Sequence, residues 1–152
     1  MGAVMKLLTC AVMAVSMIAG AASASDWRLI SVGRTGATGV DISTVSRSGD
    51  KAVAWTAIFL PLTVSEMDYA LIRQEYECGA KTSRFLSVIS YDEHGQVQAR
   101  SDEPRAEISI APDSNEMLML KAVCFNEFLQ DDPVGWTSAM ALLQDYRTTP
   151  PQ

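Results

Sequence analysis

The sequence predicts an α+β fold: an antiparallel meander sheet of about five or six strands, one helix packed on it and disulfide-linked to it, and a short C-terminal helix. Short apolar segments separated by turn residues fill residues 27–99. A helical pattern of apolar residues follows, and Cys78 and Cys124 lie one in each region. The length suits one domain, which we expect over residues 25–128, with a C-terminal extension over 129–152.

Residues 1–24 have the pattern of a cleavable secretory signal peptide. Lys6 gives the charged start, an apolar run covers 7–18, and small residues lead to predicted cleavage after Ala24. The run is shorter than the roughly 20 apolar residues of a membrane span, so we expect no transmembrane span in the mature chain. Cys10 precedes most of the apolar run, which disfavours the alternative of a lipid anchor. We therefore expect an exported protein, periplasmic or at the cell surface or outside it.

The two remaining cysteines, Cys78 and Cys124, are an even pair in an oxidising compartment, and we predict that they bond to each other. In the chain-entropy model, closing a loop of this length contributes about 4 kcal/mol of stability. The alternative is a redox-active or metal-binding pair. Such pairs normally need close spacing or histidine partners, and the one histidine of the chain is His94.

The predicted strands follow one another with turn residues between them. In chain order they are 27–32, a strand from residue 40, 53–60, 69–78, 84–91 and 96–99, with a glycine-rich loop at 33–39 and a hairpin turn at 92–95. The strand at 53–60 is apolar on both faces, which is typical of a central strand. Alternation in the strand at 69–78 places Cys78 on the apolar face, opposite Glu75 and Glu77.

Two helices are predicted after the strands. Asp113, followed three residues later by Glu116, has the form of a capping pair, so a helix should run from there to about Asn126. Its predicted apolar stripe, spaced by three and four residues, is Met117, Leu120, Cys124 and Phe128. A second helical face precedes a tail at 148–152 that we expect to be disordered, and it consists of Trp136, Ala139, Met140, Leu143 and Arg147.

Few residues offer catalytic or binding chemistry. His94 is the one imidazole available to a nucleophilic triad, but it lies in a polar turn where exposure is the ordinary explanation. Glu75 and Glu77 have a spacing near that of paired glycosidase carboxylates, and with Arg73 beside them an ion-pair ladder is the simpler interpretation. The acidic doublets lack the ligand spacing of a calcium loop, and the loop at 33–39 lacks the ending of a phosphate-binding loop. We expect no catalytic residue, no cofactor and no metal.

Charge and aromatic content bear on the partner. The formal net charge is −6, and no basic run is present, so nucleic acid and a polybasic membrane contact are both disfavoured. The tryptophans and tyrosines of the predicted elements have two interpretations, core residues or a surface for a protein partner. They are Trp27, Trp55, Trp136, Tyr69, Tyr76 and Tyr91.

A set of ordered anchor residues carries a resemblance to a known family. The anchors are Trp27, Asp41, Trp55, Tyr69, Cys78, Arg84, Tyr91 with Gly95, Pro112 with Ser114, and Cys124, within segments that include 91–97, 110–114 and 123–124. Over about residues 27–124 this order resembles the surface-adhesin protein E family of Gram-negative bacteria. The resemblance implies an antiparallel sheet, a packed helix and a disulfide between them, carried over here to Cys78 and Cys124. It also implies binding of host extracellular-matrix or serum proteins, although the adhesin that names the family is lipid-anchored.

Three functional hypotheses follow. The leading one is an exported non-catalytic binding domain with a macromolecular protein partner and no cofactor. The second is a periplasmic accessory protein that docks another envelope protein through a sheet edge or the helix near Trp136. The third and least favoured is a small hydrolase that uses Glu75 and Glu77 or His94. An exposed sheet edge permits a homodimer without requiring one.

Overall fold

The computed structural model of this protein describes residues 24–33, 36–60, 68–128 and 135–148. The predicted signal peptide up to Ser23 and residues 149–152 of the predicted tail lie outside the described residues. Thr148, which was predicted to begin the tail, is instead the last residue of the second helix. The elements are β1 Trp27–Gly33, β2 Gly36–Ser48, β3 Lys51–Phe59, β4 Tyr69–Glu77, β5 Thr82–Tyr91, β6 Val97–Ser101, β7 Ile108–Ser109, α1 Asn115–Phe125 and α2 Ala139–Thr148. Neither helix in these ranges is long and apolar enough to cross a membrane.

The strands form one antiparallel sheet whose spatial order, β1 to β6, follows the chain. Short connections between consecutive strands favour this antiparallel pairing. β7 pairs with Thr82 and Ser83 at the start of β5, so β6 and β7 lie along the same side of that strand. The predicted meander of five or six strands is confirmed. β7 is the addition, and its two residues are too few to give a strand pattern in the sequence.

The two helices cover opposite faces of the sheet. Ala52 and Ala54 of β3 belong to the hydrophobic core under α1, whereas Ala57 and Phe59 belong to the core under α2. Positions of different parity in a strand point to opposite faces, so the helices lie on opposite sides. This explains why β3 is apolar on both faces. The core under α1 also contains Val40, Tyr76, Leu120 and Val123, and the core under α2 contains Trp27, Tyr69, Leu142 and Leu143.

The N-cap of α1 is Ser114, one residue later than the predicted capping pair. The Oγ of Ser114 accepts a hydrogen bond from the backbone N–H of Met117 at 3.2 Å. Asp113 instead takes a left-handed conformation with φ of 58°, so its side chain is not the cap. Asn126, with φ of 59°, ends the helix where the sequence predicts.

The buried face of α1 differs from the predicted stripe. The buried residues of the helix are Met119, Leu120, Ala122 and Val123. Of the predicted stripe, only Leu120 is buried, while Met117, Cys124 and Phe128 are partly buried at the border of the same core. The helix is apolar around most of its circumference, so spacing alone fits more than one face.

The disulfide joins the end of β4 to the last turn of α1. Cys78 and Cys124 are bonded, with their Cα atoms 5.8 Å apart, which confirms the predicted link between sheet and helix. The same turn of α1 is held from β2, because the Nε of Arg47 donates to the backbone carbonyl of Val123 at 2.9 Å. The C-terminal end of α1 is therefore fixed to two strands.

The C-terminal segment closes the second face of the sheet. Trp136 exchanges two backbone hydrogen bonds with Trp27, at 2.9 and 3.0 Å, so it covers part of the outer side of β1. The predicted C-terminal helix is present as α2, but it starts at Ala139, so the prediction that Trp136 lies on this helix was wrong. Arg147 near the end of α2 forms an ion pair with the buried carboxylate of Asp68. Leu142 and Leu143 are completely buried against the sheet.

The predicted glycine loop at 33–39 is wrong at its C-terminal end, because β2 already begins at Gly36. Gly39 is a strand residue paired with Leu29 and Ala57. A Cβ atom at Gly39 would lie 2.8 Å from Cδ2 of Leu142 and 3.1 Å from the carbonyl oxygen of Arg28. The glycine is therefore needed for the close approach of α2 and not for a turn.

Removing the disulfide should lower the free energy of unfolding by about 4 kcal/mol, because the reduced unfolded chain regains the entropy of an open loop. The variant is Cys78→Ser with Cys124→Ser, measured by urea unfolding against the oxidised parent. The parent unfolded in a reductant serves as the control and should match the variant. Equal stability of oxidised parent and variant would contradict a stabilising role for the bond.

Gly39→Ala should destabilise the protein by about 1–3 kcal/mol, because its methyl group would overpack the contact with Leu142. Gly33→Ala is the matched control, since a Cβ there meets only the carbonyl oxygen of Gly36 at 3.7 Å. Thermal unfolding of both variants measures the difference. If the two substitutions shift the midpoint equally, the close approach of α2 does not constrain position 39.

Candidate functional site

One edge of the sheet is exposed along its whole length. The segment Val97–Ser109, here called the open edge, runs along β5 and has no strand on its other side among the described residues. Every residue from 96 to 109 is exposed. They include Val97 and Ile108, whose exposed fractions of 57% and 56% are high for large apolar side chains. An edge of this kind offers unpaired backbone groups to another chain.

The open edge is divided by Pro104. β6 pairs with the second half of β5, and β7 pairs with its first two residues. Between them the backbone N–H of Arg105 donates to the carbonyl oxygen of Phe85 at 2.9 Å. Proline has no N–H to offer to a strand, so Pro104 interrupts the row of backbone donors. The stretch from Arg105 to Ser109 is the part that combines edge backbone with a cavity.

That cavity is a groove of about 390 Å³ beside β7, lined by Arg84, Phe85, Arg105, Ala106 and Ile108. The guanidinium carbon of Arg105 lies 5.8 Å from the centre of the Phe85 ring, a distance suited to a cation–π contact. Arg84 is held by Glu75, with Nη2 2.8 Å from Oε1. Arg105 forms no ion pair in the described part of the chain. The groove therefore has an apolar floor and one uncompensated cation.

The carboxylates considered for catalysis form an ion-pair ladder. Lys51 Nζ lies 2.6 Å from Glu77 and 3.5 Å from Glu75, and Arg84 also binds Glu75. The hydrogen bond to Glu77 and the charge of Glu75 raise the pKa of Lys51. Arg73, the cation expected in this ladder, is exposed and takes part in none of the ion pairs in the described ranges. Each carboxylate is matched by a cation, as in a surface ladder.

His94 lies in an exposed turn. Asp92 Oδ1 accepts hydrogen bonds from the backbone N–H groups of Gln96 at 2.8 Å and His94 at 2.9 Å, which lower the pKa of Asp92. The imidazole side chain is 76% exposed, 3.5 Å from Glu93. None of the hydrogen bonds between described residues joins the ring to a serine or cysteine. The turn geometry explains these residues without catalysis.

The aromatic anchors are mostly core residues and do not form one surface. Trp27 is buried, and Trp55 packs partly buried against the core under α2. Tyr91 stacks on Tyr69, with ring centroids 4.6 Å apart and planes 5° from parallel. Tyr76 is completely buried on the other face. The core interpretation therefore holds for these residues.

The other anchors have local structural roles, except for one. Gly95 has φ of 74° in the hairpin turn, a conformation suited to glycine. Pro112 precedes the cap residue Ser114 at the start of α1. Arg84 alone among the anchors lines the groove. No group of three or more His, Cys, Asp or Glu side chains in the described ranges could hold a metal ion.

A buried polar cluster beneath the first turn of α1 was missed by sequence reasoning. Gln74 Nε2 and Ser83 Oγ both donate to Oε1 of Glu116, the latter at 3.0 Å. The hydroxyl of Tyr76 is buried without a well-formed hydrogen bond in the described chain. Burial raises the pKa of Glu116, and burial together with this carboxylate raises the pKa of Tyr76. The available signal was Gln74, a polar residue on the apolar face of β4 between Ile72 and Tyr76.

Stability should fall as the pH rises above the ordinary pKa of Glu116, near 4.5, because the folded protein then holds a proton that the unfolded chain has lost. The loss should be complete above the raised pKa. Glu116→Gln keeps an acceptor for Gln74 and Ser83 and removes the charge. We expect this variant to gain stability relative to the parent as the pH increases.

Urea unfolding from about pH 4 to about pH 7 measures this change. The control is Glu107→Gln, which alters an exposed glutamate and should follow the parent profile. A constant difference between Glu116→Gln and the parent at every pH would contradict the effect of burial.

Comparison with protein-family models matches residues 27–125 to surface-adhesin protein E. Comparisons with curated proteins and with solved structures find no match. The matched residues begin with β1 and end with α1, so they include the sheet, the disulfide and the open edge, while α2 follows them. The chain therefore belongs to the surface-adhesin protein E family, and its role is binding of the adhesin type.

Proposed function

We propose that this protein is an exported, non-catalytic domain that binds a host extracellular-matrix or serum protein at the bacterial surface. The observation that carries the proposal is the open edge with its groove, which lies inside the residues matched to the adhesin family. The family supports binding of a protein partner. The open edge supplies a surface on which such binding can occur.

The physical character of the open edge suits a protein partner. Val97 and Ile108 keep more than half of their surface in water, and covering apolar surface contributes about 25 cal/mol per Å². Exposed apolar side chains in line with unpaired backbone groups are typical of interaction edges. The net charge of −6 opposes binding of nucleic acid.

The geometry of the candidate catalytic groups supports a non-catalytic role. Glu75 and Glu77 are compensated by Lys51 and Arg84, so neither is arranged as an isolated acid or base. The imidazole of His94 lies 3.5 Å from the surface carboxylate of Glu93 and forms no hydrogen bond with a serine or cysteine of the described residues. Nucleophilic catalysis needs a base within hydrogen-bond reach of the nucleophile.

The second candidate function is a periplasmic accessory protein that binds another envelope protein. It is favoured by the position of Cys10, ahead of most of the apolar run, since that order is not the pattern of a lipid-anchored surface protein. In this case too the open edge is the docking surface. The apolar face of α2 is not available for docking, because Leu142 and Leu143 are buried against the sheet.

Protease treatment of intact cells of the native organism should digest the protein if it acts at the surface. Lysed cells give the total, and a known periplasmic protein controls for leakage. Purified full-length mature protein should then bind at least one of a panel of immobilised matrix and serum proteins. Protection until lysis together with no binding to the panel would reject the host-binding role and favour the envelope partner.

A further inference from the structure

Arg105 differs from the other arginines near the open edge because it has no carboxylate partner among the described residues. Arg100 is paired with Asp102 at 2.8 Å, and Arg84 is paired with Glu75 at 2.8 Å. Arg105 contacts the face of Phe85 and is in no ion pair of the described residues. The charged residues that line the groove are Arg84 and Arg105, so in a protein of net charge −6 the lining charge without a carboxylate partner among the described residues is positive. This favours an acidic occupant.

The backbone beside the groove is available for pairing. Directly after β7, the N–H of Ile110 donates to the carbonyl oxygen of Lys81, which fixes the alternation of inward and outward backbone groups along this strand. The groups of the preceding residue, Ser109, therefore face away from β5. Such outward groups accept an added strand, whose main chain supplies the matching donors and acceptors. Pro104 limits the usable stretch to residues 105–109.

The side chains next to this stretch complement a strand of alternating character. Phe85 and Ile108 are apolar, and Arg105 lies over the Phe85 ring. An added strand places its side chains alternately on the two faces of the sheet. One apolar side chain can fill the groove, while a carboxylate nearby forms a charge-assisted hydrogen bond with the guanidinium.

We propose that residues 105–109 of the open edge bind a short extended segment of the partner protein by strand addition, with an apolar side chain against Phe85 and an acidic side chain on Arg105. This inference rests on the proposed function and names the kind of segment that is recognised. A nucleic acid or lipid phosphate fits less well, because one uncompensated arginine is not a phosphate-binding cluster and the edge backbone is complementary to another backbone.

The test uses the full-length mature protein and two fluorescein-labelled octapeptides, one alternating valine with glutamate and the other alternating valine with lysine. Fluorescence anisotropy should show binding of the glutamate peptide only. Arg105→Glu should weaken this binding about tenfold or more, since it replaces an attraction with a repulsion. Arg100→Glu is the matched control, with the same charge change on the same edge, and should alter the affinity less than about twofold.

A further peptide tests strand addition itself. Methylation of the central backbone nitrogens of the glutamate peptide removes donors without changing charge, and should weaken binding about tenfold or more. Equal binding of both charged peptides, equal loss in the two arginine variants, or unchanged affinity of the methylated peptide would each overturn the inference. Circular dichroism confirms that both variants remain folded.

The same variants distinguish this inference from the proposed function. If a matrix or serum protein binds the parent and Arg105→Glu equally, the proposed function stands and the inference about the edge is overturned. If the peptide contrasts appear as expected but no protein of the panel binds, the strand-binding edge is supported and the host-binding role fails. Loss of panel binding in Arg105→Glu but not in Arg100→Glu supports both.

Discussion

Two-sided burial of β3 is the constraint on which the rest of the structure depends. The strand presents Ala52 and Ala54 to α1 and Ala57 to α2, so small side chains occupy the centre of the sheet on both faces. Small residues let helices approach a sheet closely, and Gly39 in β2 extends the same effect under Leu142. Larger residues at these positions would separate the layers and leave voids beside them. This packing determines where the two helices lie on the sheet. The disulfide then holds α1, and the ion pair of Arg147 holds α2.

The two edges of the sheet differ in how they are covered. The outer side of β1 is partly occupied by Trp136, which pairs with Trp27 through two backbone hydrogen bonds. On the opposite side, β5 is covered by β6, β7 and the connection between them, and every residue of this segment is exposed. Natural sheets blunt such edges with proline and charge, and Pro104 with the surrounding charged residues is an example. The protection is incomplete at the groove, where Arg105 and Ile108 remain accessible.

Much of the fold was predictable because its signals are local. Alternation identified the strands, and the two cysteines, one directly after β4 and one in α1, indicated which elements are linked. The buried face of α1 was not predictable, since Met117, Met119 and Leu120 are all apolar and only contacts with the sheet choose among them. Gly39 lies in a glycine-rich stretch that is typical of a loop. The contact that requires a glycine there is with Leu142, more than one hundred residues away in the sequence.

The candidate site was harder to predict than the fold. Arg105 and Ile108 belong to no motif, and their importance depends on the absence of a neighbouring strand in the described chain, which sequence does not encode locally. The sequence position of Glu116 is typical of the first turn of a helix. Its carboxylate, however, accepts hydrogen bonds from Gln74 and Ser83 of the sheet. Such long-range partners need a structure. The division between residues 128 and 129 remains a prediction.

The C-terminal segment is part of the folded domain, so the domain cannot be cut at the end of the residues matched to the family. It follows the residues matched to the family, yet it buries Leu142 and Leu143 against Trp27 and Phe59, which are matched. A fragment cut after Phe128 would expose this aromatic surface and leave Asp68 without its arginine. Expression of the matched residues alone would therefore yield an aggregation-prone protein.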